Sequence, residues 1–265
     1  MAAYIALNTE SILDYLDCDK DICHALSQVK RMGYEYVELW HVKGPEHGAP
    51  WNDFLDDAGL LCCAIHELFE EVMEDPDRII KKARSLHAGI LAIGRSRDLD
   101  WESLDEIRTF AGQMNCLGKR CRQAGISLIY HNHNTEFNMI EGKTALEHFF
   151  DMTDPQLVGS ELDVYWVQRS GANPVTWCRR LGARLKVLHL KDIGLEKPED
   201  GGFIKKPVCR AVGSGTMEMD RILEQAVESG CQWFIVETCT DWIDNDSLRC
   251  AKESYDYLLK ALIEK

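Results

Sequence analysis

Short apolar runs recur along the chain, each apolar at its start and polar or charged at its end. They are YIALNT (4–9), EYVELW (35–40), LLCCAIHEL (60–68), GILAIGR (89–95), SLIYHNH (127–133), VGSELDVYW (158–166), RLKVLHLKD (184–192) and WFIVETC (233–239). Their length and their β-branched and aromatic content predict eight strands. Between them the apolar spacing changes to three and four. In LDEIRTFAGQMNCLGKRCRQAG, the residues Leu104, Ile107, Phe110, Ala111, Met114 and Leu117 fall on one helix face, and Gly125 ends it. MEMDRILEQAVESG repeats the pattern, with Ile222, Leu223, Ala226 and Val227 directed inward and Gly230 as the stop. SLRCAKESYDYLLKALIEK reads as a last helix. MGYEY, AGL, HAG, QAGIS and SGCQW each place a glycine just ahead of a strand, as helix-to-strand turns do.

Strands that alternate with helices pair in parallel through right-handed crossovers. Eight such units in 265 residues predict an α/β fold, a closed (β/α)8 TIM barrel forming one domain over residues 1–265. An open doubly wound sheet would carry a glycine-rich phosphate loop after its first strand. That strand runs instead into ALNTESI, and the G-x-G of VGSGTMEMD (212–220) follows a loop.

The active site of such a barrel lies at the C-terminal ends of its strands. Those ends offer Asn8; Glu38 and His41; His66 and Glu67; Arg95; His131, His133 and Glu136; Glu161 and Asp163; His189, Lys191 and Asp192; and Glu237. Parallel strands are buried on both faces, so ionisable groups on them are costly unless paired or bound. Asp163, His189 and Glu237 stand at equivalent heights on consecutive strands. Carboxylates with an imidazole suit one divalent ion such as Mn²⁺, Mg²⁺, Co²⁺ or Zn²⁺.

Composition narrows the partners. The net charge of −14 argues against nucleic acid, which needs a basic surface. No 18-residue apolar run occurs, so no membrane span is expected. MAAYIALNTE lacks the regions of a signal peptide, and eleven irregularly spaced cysteines read as free thiols of a cytoplasmic protein. A homo-oligomer is compatible with this surface.

YHNHNTEF, ELDVYWVQRSGANPVTW, VLHLKD, VGSGTMEMDRIL and WFIVETC, in that order, resemble the sugar phosphate isomerase/epimerase family of xylose-isomerase-like barrels, in its branch with the YHNHxxEF motif. The likeness runs from about residue 30 to the C-terminus. It implies one divalent metal, Mn²⁺ foremost, held by a Glu, Asp, His, Glu set from strands 5 to 8. Asp163, His189 and Glu237 match the last three ligands. Where ketose epimerases carry the first glutamate this chain has His131, so the first ligand is expected to be Glu136 or a histidine.

The chemistry expected is proton abstraction next to a carbonyl of a sugar, keto-sugar or cyclitol, through an enediolate stabilised by the metal. His133, His131 and Glu237 are the expected acid–base groups, since imidazole titrates near neutral pH. Glu38, His66, Trp166, Lys191 and Arg210 are expected to contact substrate. An isomerase or epimerase is the first reading, and a dehydratase or 3-keto-glycoside eliminase the alternative. A non-catalytic sugar-binding barrel and an abasic-site endonuclease are the remaining readings, the latter disfavoured by the charge.

Overall fold

The computed structural model describes residues 2–16, 18–40, 51–96, 99–197, 203, 205–238 and 246–264. His41, the Arg95 side chain and Cys239 lie outside what is described. Eight parallel strands close into a barrel: β1 (Tyr4–Asn8), β2 (Tyr36–Trp40), β3 (Leu61–Leu68), β4 (Ile90–Arg95), β5 (Ser127–His131), β6 (Val158–Asp163), β7 (Leu185–Leu190) and β8 (Trp233–Val236). They pair in chain order, and β8 closes on β1 from Tyr4↔Trp233 to Leu7↔Val236. The expected (β/α)8 barrel is the fold.

The helices form where the periodicity places them. Leu104–Gln123 starts at Ser103, whose hydroxyl accepts the Glu106 N–H. Asp105 and Glu106 in its first turn and Arg120 and Arg122 in its last complement the helix dipole. Its stripe of Ile107, Phe110, Ala111, Met114 and Leu117 is buried against the barrel. Met219–Glu228 buries a narrower stripe than expected: Met219, Ile222, Leu223 and Ala226 are covered, while Val227 is 37% exposed.

β6 and β7 end earlier than their apolar runs, each for a visible reason. β6 stops at Asp163 because its Oδ1 accepts the Trp166 N–H, which caps a helix over Val164–Arg169. β7 stops at Leu190. Asp192–Glu196 then pairs antiparallel with Lys206–Arg210, a hairpin the sequence pattern does not announce. The ten described cysteines are all free thiols, as the irregular spacing suggests. Among the described residues no helix is long and apolar enough to cross a membrane.

Inside the barrel the two-residue strand period builds layers. Ala6, Tyr36, Ala64, Ala92, Ile129, Val187 and Ile235 pack in one layer, and Gly159 fits against Ile129 there. Two residues further along the strands stand Asn8, Glu38, His66, Gly94, His131, Glu161, His189 and Glu237. Gly94 makes room for its neighbour, since a Cβ there would come within 1.9 Å of His66 Nε2. One apolar layer therefore floors a layer that is almost wholly ionisable.

Candidate metal centre

None of Glu38, His66, His131, Glu161, Asp163, His189, Lys191 and Glu237 is more than 5% exposed. So much buried charge is stable only when each group has a counter-charge or ligand. His131, Asp163, His189 and Glu237 bring their donor atoms within 4.8 Å of one another. His66, His131, Glu161 and His189 form a second group of the same spacing, and the two share both imidazoles.

The backbone aims these side chains. Asp163 gives Oδ1 to its helix cap, which turns Oδ2 inward, 3.1 Å from Lys191 Nζ and 3.8 Å from His131 Nε2. Asn132 Oδ1 accepts the Asp163 N–H at 3.1 Å and ties the ends of β5 and β6 together. His189 lies between two carboxylates: Nε2 is 2.7 Å from Glu38 Oε2, and Nδ1 is 2.7 Å from Glu237 Oε2. The other Glu237 oxygen accepts from the Lys191 ammonium. His131 Nδ1 faces Glu161 Oε2 at 3.2 Å.

Burial and charge pull the protonation states apart. Burial, then the His189, His66 and His133 rings, push His131 well below its ordinary value, so it is a neutral imidazole. Burial works to lower His189, but the Glu161, Glu38 and Glu237 carboxylates outweigh it and hold this imidazole well above. Burial works to raise Glu237, yet Lys191 and His189 hold its carboxyl well below the usual range. Burial, then the Glu38 charge, raise Glu161 well above that range; burial also raises Asp163, with Lys191 opposing. Glu10, just past β1, is pushed up to about 8 by burial and then by the Glu237 charge.

Both oxygens of Glu161, His131 Nδ1 and His189 Nδ1 are buried without a well-aligned hydrogen bond, and Asp163 Oδ2 has the Lys191 ammonium beside it. Carboxylate oxygens and imidazole nitrogens at this spacing are the donors a divalent cation takes, so the group fits a metal ion.

The structure sorts the expected residues. Asp163, His189, Glu237 and His131 meet. Lys191 contacts two of them, and His66 borders them. His133 stands at the mouth, its side chain 32% exposed and its ring 5.0 Å from that of His131. Trp166 faces His133 at 5.7 Å, and its ring lies 5.7 Å from Lys191 Nζ. Arg210 pairs with Glu196 across the hairpin. Glu38, expected to bind hydroxyls, has Oε2 engaged by Asn8 and His189.

Glu136 is absent from both groups, because its carboxylate is used locally. Oε1 accepts from the Tyr130 hydroxyl at 2.7 Å and the His133 N–H at 3.0 Å, and Oε2 from the Thr135 hydroxyl at 2.9 Å. It pins the loop that carries His133. Glu136→Gln should therefore leave metal content unchanged and cost about 1–3 kcal/mol of stability through the disturbed buried hydrogen bonds. Loss of bound metal from that variant, measured by elemental analysis, would restore Glu136 as a ligand. Glu161, Asn8 and Glu10 were not assigned roles from the sequence. The two-residue register from Gly159 and Ala6 is the signal that would have singled out the first two.

Residues 26–261 match the family described as xylose isomerase-like TIM barrel. The chain belongs to that family. A sugar phosphate isomerase/epimerase from Parabacteroides distasonis ATCC 8503 shares the fold with a TM-score of 0.80 and 26% identity, covering 100% of both chains. Inosose dehydratase 2 of Bacillus cereus is 28% identical over 219 residues, 79% of this chain and 65% of that protein. For an inosose dehydratase of Bacillus anthracis, 29% identical over 171 residues, the match covers 52% of its length. The chain thus spans from about half to under two thirds of these curated relatives.

Proposed function

We propose that this family member is a divalent-metal-dependent isomerase or epimerase acting on a sugar, keto-sugar or cyclitol, by proton abstraction next to a carbonyl through an enediolate. The observation that carries the reading is the buried set of His131, Asp163, His189 and Glu237 around one space, with Lys191 against two of them. These four residues would hold the ion, with His131 in the place of a first glutamate. Mn²⁺ is the ion this reading puts first, and Mg²⁺, Co²⁺ and Zn²⁺ accept the same donors. When bound, the ion supplies Lewis-acid polarisation of the substrate carbonyl.

The chain's own residues do the rest. Glu237, ionised at neutral pH, is a proton acceptor. Lys191 places positive charge where an oxyanion would develop. His133, at the open mouth, is a second proton carrier. Trp166 offers an apolar face for a ring. Small sugars or cyclitols are the proposed partners, and the cytosol the proposed location.

A lyase reading, dehydration of a keto-cyclitol or cleavage of a 3-keto-glycoside, is supported by the likeness to inosose dehydratases. An imidazole on β5 and a carboxylate on β8 also provide two unlike bases, which suits elimination. Metal analysis of wild type against His189→Ala, followed by deuterium exchange and product analysis on keto-sugars and inososes, tests both. About one divalent ion per chain is expected, lost in the variant. Absence of any ion in wild type after adding it back would remove the enzyme reading's foundation. Exchange without loss of water identifies the isomerase or epimerase, and release of water or aglycone identifies the lyase.

A further inference from the structure

Three buried residues from three strands meet at one side of the candidate ion site: Asn8 on β1, Glu38 on β2 and His189 on β7. The backbone N–H of Glu10 lies 2.8 Å from Asn8 Oδ1. An N–H can only donate, so this contact identifies which end of the amide is oxygen. The Asn8 Nδ2 is then the atom 2.7 Å from Glu38 Oε2. An amide nitrogen can only donate as well, so that carboxylate oxygen is an acceptor. The same oxygen is 2.7 Å from His189 Nε2. Nε2 must therefore carry a hydrogen directed at Glu38. Nδ1 also lies 2.7 Å from a carboxylate oxygen, Glu237 Oε2, but makes no well-aligned hydrogen bond there, so it is the nitrogen left to face an ion between the donors.

From this chain of donors and acceptors we infer that Asn8 and Glu38 are positioning residues that keep the proton on His189 Nε2, so that an entering ion displaces the proton of Nδ1 and is ligated through that atom. The inference rests on the proposed metal centre. It also decides between the two overlapping donor groups. His189 approaches the inner group of His66, His131 and Glu161 with Nε2, which lies 3.8 Å from Glu161 Oε1. The lock removes that nitrogen from competition. The ion therefore takes the outer group, beside Asp163 and Glu237. A ligating imidazole that gives its other N–H to a carboxylate is held in orientation and made more basic, and such partners contribute roughly 10–100-fold to metal affinity. Asn8 acts one step further out by occupying Glu38 and keeping its acceptor oxygen aimed at β7.

The test uses the full chain labelled with ¹⁵N-histidine, metal-free and loaded with ¹¹³Cd²⁺, with His189→Ala to assign the resonances. In wild type, His189 Nε2 should bear a protected, downfield proton in both states, and ¹¹³Cd should couple to Nδ1. Glu38→Leu should abolish that proton resonance and weaken Cd²⁺ binding, measured by chelator competition, by about 10–100-fold. Asn8→Ala, which leaves Glu38 in place, should weaken it less than Glu38→Leu does. A merely structural role for Glu38 would not move the tautomer. Coupling of ¹¹³Cd to Nε2, or unchanged affinity in folded Glu38→Leu, would overturn the inference. Should Glu38→Leu not fold, the wild-type spectra decide the question alone. Wild type that shows the Nε2 proton but no cadmium coupling to any histidine would refute ligation through Nδ1 because the metal centre itself had failed. A metal-loaded protein without that proton would fail the lock alone.

Discussion

Glu237→Gln should abolish measurable turnover while leaving a folded barrel. The substitution keeps the size of the side chain and removes its charge. In the native site that charge faces the Lys191 ammonium through Oε1 and the His189 imidazole through Oε2. Both cations hold the Glu237 carboxyl well below the usual range, against the effect of burial, so it is ionised whenever the protein is folded near neutral pH. An amide cannot take a proton from carbon and is a poor metal donor. Loss of a positioned base costs roughly 10²–10⁴-fold in rate, and loss of an ion ligand adds to that. Turnover of the best keto-sugar or inosose substrate and the metal content of the purified variant are the two readouts. Turnover within about tenfold of wild type would exclude Glu237 as the base.

Lys191→Met should lower the stability of the metal-free protein by about 3–5 kcal/mol, the usual cost of stranding the partners of a buried ion pair. In a chain of this size that is a fall of roughly 6–20 °C in Tm. The ammonium lies 3.1 Å from Asp163 Oδ2 and against Glu237, with the rings of Tyr165 and Trp166 beside it. Methionine fills the space of the stem and leaves the carboxylates facing one another. A divalent ion should restore more stability to the variant than to wild type, because one cation then replaces another.

The pH dependence has a definite sign. Burial already raises the Asp163 and Glu161 carboxyls, and removing Lys191 raises Asp163 further. Between the unfolded-state values near pH 4 and the raised folded-state ones, the unfolded chain has released protons that the folded chain still holds. Raising the pH therefore favours unfolding, by up to about 1.4 kcal/mol per pH unit for each proton retained. Thermal melts of the metal-free variant from pH 5 to 8 should show a steeper fall in Tm than those of wild type. A flat profile would mean that these carboxyls are ionised in the folded state.

Much of the barrel could be read along the chain because each element's pattern is local. The helix over Leu104–Gln123 follows from its apolar spacing and its Ser103 cap. The early stop of β6 was less visible, since VYW reads as strand until Asp163 is seen to cap the next helix. The hairpin from Asp192 to Arg210 was hidden for a related reason. Asp192 reads as the polar end of a strand, yet its carboxylate accepts from the backbone of Gly213, Gly215 and Met217, contacts made far along the chain.

The candidate site divides in the same way. Asp163, His189 and Glu237 stand out from the sequence because each ends an apolar run. The family resemblance offered Glu136 or a histidine as the first ligand; Tyr130, His133 and Thr135 use the Glu136 carboxylate, and His131 joins the donor group. Strand period and helix spacing are properties of neighbouring residues, so the sequence by itself determined the barrel and the height at which its polar layer would lie. Which atoms in that layer meet depends on closure, which brings Asn8 and Glu38, 30 positions apart, to one carboxylate oxygen that also serves His189, 151 positions beyond Glu38. Only the tertiary structure decided those partners, because hydrogen bonds and charge interactions act over a few ångströms and sequence separation does not specify such distances.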